Sequence, residues 1–210
     1  MKLLVDFFQQ GGVVMVLIAA VSLIAWYQAF GSWRRANDLL NELRWAQEFL
    51  AGWCRGEKVS ALESAQKRKT PLAVLIPARL AGDSLPTDKK TIRNIAAAQL
   101  QYLKDSLAFL EAMIGILPLL GLLGTVLGML ITFKVIQGYG SGEPTLLAGG
   151  IRQALLTTQA GLWAALPVLF FHQLISLRTR RAAGKLELIL HEIETMLAQG
   201  KTGPQTDWRN

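Results

Sequence analysis

Three stretches of the chain hold no Asp, Glu, Lys or Arg: residues 7–33, 112–133 and 153–177, which are 27, 22 and 25 residues long. A helix needs about 20 mostly apolar residues to cross the hydrocarbon core of a bilayer. Each stretch therefore predicts a spanning helix, and three of them argue strongly against a soluble domain. Between and after them the pattern changes from continuous to periodic. NDLLNELRWAQEFLAGW puts Leu39, Leu40, Leu43, Leu50 and Trp53 on one helical face. TPLAVLIPARLAGDSLPTDKK carries Pro71, Pro77 and Pro86 and predicts short helical pieces joined by turns. Thr87 or Asp88 is a reasonable cap for a new helix. Its stripe is Ile92, Ala96, Leu100, Leu103, Leu107, Leu110 and Ile114, and it runs into the second span without a break. Leu186, Ile189, Ile193, Met196 and Leu197 continue the third span in the same way, until Gly200 and Pro204 end the pattern. The final stretch GKTGPQTDWRN reads as disordered, and QGYGSGEPTLLAGG reads as a short turn-forming connector.

Charge orients these helices. Segment 31–111 has 13 Lys/Arg against 9 Asp/Glu, and the tail from Arg178 has 6 against 4. Lys and Arg collect on the cytoplasmic side of spans, and Arg34, Arg35, Arg178, Arg180 and Arg181 flank spans directly. Lys134 and Arg152 fall on the other side and are close enough to span ends to snorkel. The first run lacks the positive leader and short core of a cleaved signal, so it reads as a retained anchor with its N-terminus outside. The expected class is an all-α integral membrane protein, with three transmembrane helices, long cytoplasmic helical extensions and a periplasmic N-terminus. The expected boundaries are 1–11 for the N-terminus, 12–33 for the first span and 34–111 for the cytoplasmic loop. The second span takes 112–136, a short periplasmic loop 137–150, the third span 151–177, and the cytoplasmic helix and tail 178–210.

Composition adds exclusions. The net charge of +7 is spread over span flanks and loops rather than gathered in a nucleic-acid footprint. The single cysteine, Cys54, has no internal disulfide partner. His191-Glu192 is followed by Thr195 where a zinc-binding HExxH needs its second His. No paired carboxylates, nucleotide-binding loop or metal-ligand spacing appears. The chain is expected to be no enzyme, with no catalytic residue, no metal site and no cofactor.

The chemistry lies in the spans. Gly121, Thr125, Gly128 and Thr132 form a narrow face of small or hydroxyl residues, and Gly124 with Gly128 makes GxxxG. Ala154, Thr158, Gly161 and Ala165 repeat the spacing in the third span. Small faces let helices approach closely, and Thr can bond across the contact. The same faces suit a narrow pathway. Val13, Val14, Val16, Leu17, Ile18 and Val21 in the first span are bulky and suit lipid. Pro118 and Pro167 each remove a backbone donor and free a carbonyl inside a span. Gln153, Thr157, Thr158 and Gln159 are polar in hydrocarbon yet include no carboxylate. Such groups mark a path or a partner. His172 is the ionisable group deep within a run, and a lone His there is more often hydrogen-bonded packing than a relay.

ILPLLGLLGTVLGM (116–129), followed by GGIRQALLTTQAGLWAALP (149–167), resembles the two signature segments of the MotA/TolQ/ExbB proton-channel family, most closely those of ExbB and TolQ. QQGGVVM is similar to the glycine-bearing start of the first span in many ExbB proteins. The resemblance covers the membrane portion. It implies a homopentamer in the bacterial inner membrane around a dimer of a single-span, ExbD-like or TolR-like partner that carries a membrane aspartate. It implies a pore-forming stator subunit of a proton-driven motor acting on a TonB-like transducer, and so energising TonB-dependent transport across the outer membrane. The alternatives are a TolQ-like subunit of the Tol envelope system, or a motor subunit with another coupling ion. Membrane lipid is an expected partner and nucleic acid is not. Thr125 and Thr158 match the family's pore hydroxyls. Gln153, Thr157, Gln159 and His172 complete the expected proton pathway, and Gly121, Gly124, Gly128, Gly161 and Ala165 the expected helix packing. Many members carry a glutamate at the place of Gln153 or Gln159, and another near Gln28. An amide cannot relay a proton by changing charge, though it can hold water or bond a carboxylate. The departure places the expected titration site on the partner.

Overall fold

The computed structural model describes residues 2–68, 70–81, 89–139 and 144–198, and it is helical almost throughout. Five helices follow in order: α1 (Lys2–Cys54), α2 (Lys58–Gln66), α3 (Pro71–Ala81), α4 (Lys89–Tyr139) and α5 (Pro144–Ala198). Three of them are long and apolar enough to cross a membrane. The predicted caps Thr87 and Asp88, and the tail from Gly200, lie outside the described residues. The continuous second and third stripes emerge as single helices. α4 runs through Pro118 and α5 through Pro167. The expected connector at 137–150 is shorter than its composition suggested, because α4 continues to Tyr139 and α5 begins at Pro144. The reason is local: proline is well suited to the first position of a helix, where its missing N–H costs nothing.

The chain divides into two compact units, to each of which α1, α4 and α5 contribute. The first comprises Met1–Gly31 and Ser106–Leu174. Its core includes Val14, Ile18, Leu117 and Ala165, with Val21, Leu120, Ala160 and Ala164 packed against them. This corrects the reading of the first span as lipid-facing throughout. Val13, Val16 and Leu17 are exposed, but Val14 and Ile18 are buried on the opposite face. Exposed apolar side chains such as Leu119, Leu122, Val126, Phe133, Trp163 and Phe170 clothe the rest of the unit. An apolar surface of that kind suits lipid or another subunit and not water.

The second unit comprises Ser32–Asp105 and Ile175–Asn210. The amphipathic stripes read from the sequence are its core: Leu39, Leu43 and Leu50 on α1, Ile92, Ala96 and Leu103 on α4, Leu186, Ile189 and Ile193 on α5 are all buried. Along α1 the Phe49 ring stacks on Trp53 and packs at a tilt against Trp45, and Trp45 Nε1 donates to Ser64 Oγ on α2 at 3.2 Å. Glu42 is buried, and its carboxylate accepts the Leu72 N–H at 3.0 Å. That N–H is one of the orphan donors at the start of α3, so the charge is both bonded and set at a positive helix end. Arg178 lies 3.5 Å from the Trp33 ring centroid and donates to Asn37. A cavity of about 660 Å³ opens among Arg35, Asp38, Glu42, Thr70, Gln99 and Tyr102.

Candidate functional site

The site is the seam between α4 and α5 in the first unit. It forms because glycines bring the two backbones together. A Cβ on Gly161 would lie 2.7 Å from the Leu117 carbonyl oxygen, and one on Gly128 2.7 Å from that of Gly150. One on Gly121 would lie 3.0 Å from Thr158 Cα. Real Cβ atoms essentially never come within 2.7 Å of a backbone oxygen, so Gly161 and Gly128 require glycine for the contact itself, and at Gly121 a side chain would force the facing backbone back by a few tenths of an ångström. On α4 the buried face is Leu117, Gly121, Gly124, Gly128 and Thr132. On α5 it is Gly150, Ala154, Thr157, Gly161, Ala165 and Val168.

Each hydroxyl has a definite place. Thr157 is 0 % exposed. It packs against Gly124 and donates within its own helix to the Ala154 carbonyl at 2.9 Å and the Gln153 carbonyl at 3.1 Å. Thr132 is buried against Gly150 and donates to the Gly128 carbonyl at 3.1 Å. Thr158 is half-buried at the edge of the seam. Its hydroxyl lies 3.3 Å from two carbonyl acceptors, Gly121 on α4 and Ala154 on α5. Thr125 turns outward. Its hydroxyl donates to the Leu122 carbonyl at 2.7 Å and borders a shallow hollow of about 300 Å³ with Val126, Met129, Leu130 and Phe133. The seam therefore holds Gly124 where the sequence spacing put Thr125. The two positions flank the same face, and the smaller residue takes the centre because it permits the closer approach.

The amides face α1. A Cβ on Gly12 would come within 2.6 Å of Gln153 Nε2, which seats that side chain against the first helix. Gly12 has φ 65° and ψ −161°, outside helical geometry, so α1 is kinked there. Gln159 is exposed at a groove of about 270 Å³ between α5 and α1, shared with Met15, Ile18, Ser22 and Trp163. Gln28 Nε2 donates to Ser106 Oγ at 2.8 Å, joining α1 to α4. His172 is half-buried toward the end of the unit away from the seam glycines. The structure thus brings Thr157 and Thr158 to Gly121 and Gly124, and sets Gln153 and Gln159 on another side of α5. Sequence reasoning missed Gly12, Gly150 and Ser106. The paired glycines 11 and 12 inside an apolar run were the available signal for the first. Gly150 lies in the stretch taken for a connector, and Ser106 is an ordinary polar position on an amphipathic helix.

Among the described residues no group of three or more His, Cys, Asp or Glu side chains could hold a metal ion. The seam itself contains no titratable side chain, so what it offers is neutral hydroxyls and backbone carbonyls in a close helix contact.

Known proteins share this chain's pattern. The profile of the MotA/TolQ/ExbB proton channel family matches residues 67–188. The chain is similar to an ExbB-like biopolymer transport protein of Synechocystis sp., with 33% identity over 205 residues, 90% of this chain and 80% of that protein. It is 46% identical over 90 residues to the biopolymer transport protein exbB1 of Vibrio cholerae, which is 42% of this chain and 40% of that one. To the Tol-Pal system protein TolQ of Haemophilus influenzae it is 25% identical over 201 residues, 88% of this chain and 87% of the relative.

Proposed function

The chain belongs to the MotA/TolQ/ExbB proton channel family, and from that premise we propose that it is the pore-forming subunit of a proton-driven motor in the bacterial inner membrane, serving TonB-dependent transport. It acts as a homopentamer around an ExbD-like single-span partner and has no enzymatic activity of its own. The N-terminus is outside, and the long amphipathic parts of α1, α4 and α5 are cytoplasmic, following the Lys/Arg bias of their sequences.

The observation that carries the reading is the position of Thr158. Its hydroxyl is fixed at the edge of a glycine-lined, carboxylate-free seam by two carbonyls, one from each helix. A hydroxyl that donates inward keeps its lone pairs for water, and it can turn to donate to an anion. The partner's membrane aspartate carries the proton. The ring of Thr158 and Thr125 hydroxyls solvates that carboxylate. Neutral donors favour the charged form of an acid, whereas a glutamate on this chain would disfavour it. The subunit therefore tunes the partner's acid without titrating in step with it. Thr157 contributes from within, by holding α5 against Gly124. Co-expression with the candidate single-span partner tests the reading: the purified complex conducts protons in liposomes, and either a failure to associate or a complex with no flux refutes it.

A Tol role has its own support in the TolQ likeness, which runs along 88% of the chain. Co-purification with a TolA-type rather than a TonB-type transducer would establish it.

A further inference from the structure

The cavity of about 660 Å³ in the second unit takes no part in the seam. α1 lines it with Arg35, Asp38, Leu39 and Glu42, which share one helical face at i, i+3, i+4 and i+7. Thr70, the residue before α3, lines it too, as do Ala98, Tyr102 and Leu103 on α4.

The polar groups of its wall are short of partners of one kind. Glu42 is 6 % exposed, and its carboxylate has one neutral donor, the Leu72 N–H. That N–H is one a hydroxyl in the place of Thr70 commonly takes. With Glu42 holding it, the Thr70 hydroxyl oxygen is buried and has no hydrogen-bond partner among the described residues. Asp38 has no hydrogen bond or ion pair among them either. The cation on the wall is turned elsewhere: Arg35 lies 4.5 Å from the Tyr102 ring centroid and donates to the Tyr102 hydroxyl. Buried charges are ordinarily paired. The wall thus presents acceptors for a cationic donor that no side chain there supplies.

Its chemistry selects the donor. A bare metal ion would make no use of Leu39, Ala98 and Leu103, and pockets of roughly 300–1,000 Å³ suit organic ligands. An ammonium on a carbon skeleton uses both parts of the wall. Order along α1 narrows the choice. The charge-free run ends at Trp33. Arg35 follows it, Asp38 lies about 5 Å further along the axis and Glu42 about 10 Å further. A ligand leaving the bilayer along this face meets a cation first and carboxylates afterwards. An ethanolamine phospholipid has the complementary order, with phosphate beside its glycerol and ammonium beyond. Arg35 has five N–H donors, and the Tyr102 hydroxyl takes one of them. Tyrosine is itself enriched where membrane meets water.

We propose that this cavity binds the headgroup of phosphatidylethanolamine. Its phosphate lies on Arg35, its ammonium among Asp38, Glu42 and the Thr70 hydroxyl, and its glycerol against Leu39 and Leu103. A primary ammonium brings three N–H donors. The quaternary ammonium of choline brings none, and a glycerol headgroup brings no positive charge, so the site discriminates against both. The inference rests on the first apolar run crossing the membrane, and not on proton conduction.

The full chain is reconstituted in phosphatidylcholine vesicles with equal minor shares of phosphatidylethanolamine and phosphatidylglycerol. The vesicles are floated, dissolved in mild detergent and examined by native mass spectrometry. The expected spectrum shows one phosphatidylethanolamine retained per chain, enriched about tenfold over its share, the ratio for 1.4 kcal/mol. Equal retention of the choline lipid overturns the proposal. Equal retention of the glycerol lipid reduces the site to an anion contact at Arg35 and overturns it as well. Asp38 is exposed, so Asp38→Asn leaves the packing intact. It should erase the preference for ethanolamine over choline, since the two lipids share a phosphate, and an undiminished preference contradicts the site. Free phosphoethanolamine should not displace the lipid; displacement would assign the cavity to a soluble ligand instead. A chain that does not float refutes the membrane placement and this site together. A chain that floats without lipid preference refutes this site alone.

Discussion

At Gly161, one hydrogen in place of a methyl decides whether two helices can touch. A Cβ there would lie 2.7 Å from a main-chain oxygen, which has no rotamer with which to escape. Overpacking of this kind costs on the order of 1–3 kcal/mol. Gly161→Ala should lower the stability of the folded chain in detergent by about that amount, read from a denaturation midpoint, and an unchanged midpoint would show that the seam is looser than described. Gln153 makes a different prediction. Its amide sits against Gly12 and away from the glycine seam. Gln153→Glu should therefore reduce stability while leaving the pH profile of proton flux unchanged; a shifted profile would place this side chain on the path. Residue-level reading of the sequence was close on packing and poorer on direction. Spacing alone identified Gly121, Gly128, Ala154 and Gly161 as contact positions. It could not choose between Gly124 and Thr125, which flank the same face of α4. That choice is made by which residue lets α5 come nearer, and the distance depends on both helices.

At the scale of elements, α1 shows what periodicity captures and what it misses. The sequence predicts a span followed by an amphipathic extension, and α1 contains both between Lys2 and Cys54. It also contains a break. Gly12, at φ 65° and ψ −161°, adopts a backbone conformation essentially confined to glycine. Gly12→Ala should cost on the order of 1–3 kcal/mol through backbone strain alone. It should also disturb Gln153, and a thermal unfolding midpoint equal to that of the native chain would contradict the strained geometry. An apolar run has no hydrophobic signature for a kink, and only the glycine pair marked it. The start of α5 was hidden for the opposite reason. Glycine-rich composition at 137–150 suggested a loop, but Pro144 is compatible with a first helical turn, and Gly150 is used to approach Thr132 and Gly128. By contrast, the stripes of α4 and α5 in the second unit were legible at Ile92, Ala96, Leu100, Leu103, Leu186, Ile189, Ile193 and Met196, all of them buried. Burial at helical spacing is the direct consequence of the pattern that predicted it.

For the whole molecule, the proposed orientation follows from charge placed beside spans. Cys54 gives it a single-site test, because it is the one thiol in the chain and is exposed at the end of α1. A membrane-impermeant maleimide should label it in inverted inner-membrane vesicles and leave it unmodified in intact spheroplasts. Labelling in spheroplasts would reverse the topology. The expectation of a multi-subunit assembly came only from the family resemblance. A single chain displays an exposed apolar surface, but lipid and a neighbouring subunit satisfy such a surface equally well. Chemistry was legible chiefly as a lack: polar residues in the spans, with no carboxylate among them. The structure gives that lack a geometry in which hydroxyls are anchored to close-packed backbones.

The central claim is that these hydroxyls serve a proton carried by the partner's acid. It is tested most directly by proton flux through liposomes containing the assembled complex, comparing native Thr158 with Thr158→Ser and Thr158→Ala. With assembly verified on the same samples, Thr158→Ser should conduct like the native complex, and Thr158→Ala should fall by about tenfold or more, the factor for each 1.4 kcal/mol lost from the barrier-lowering interaction. An intact Thr158→Ala complex that conducts at the native rate would contradict the account.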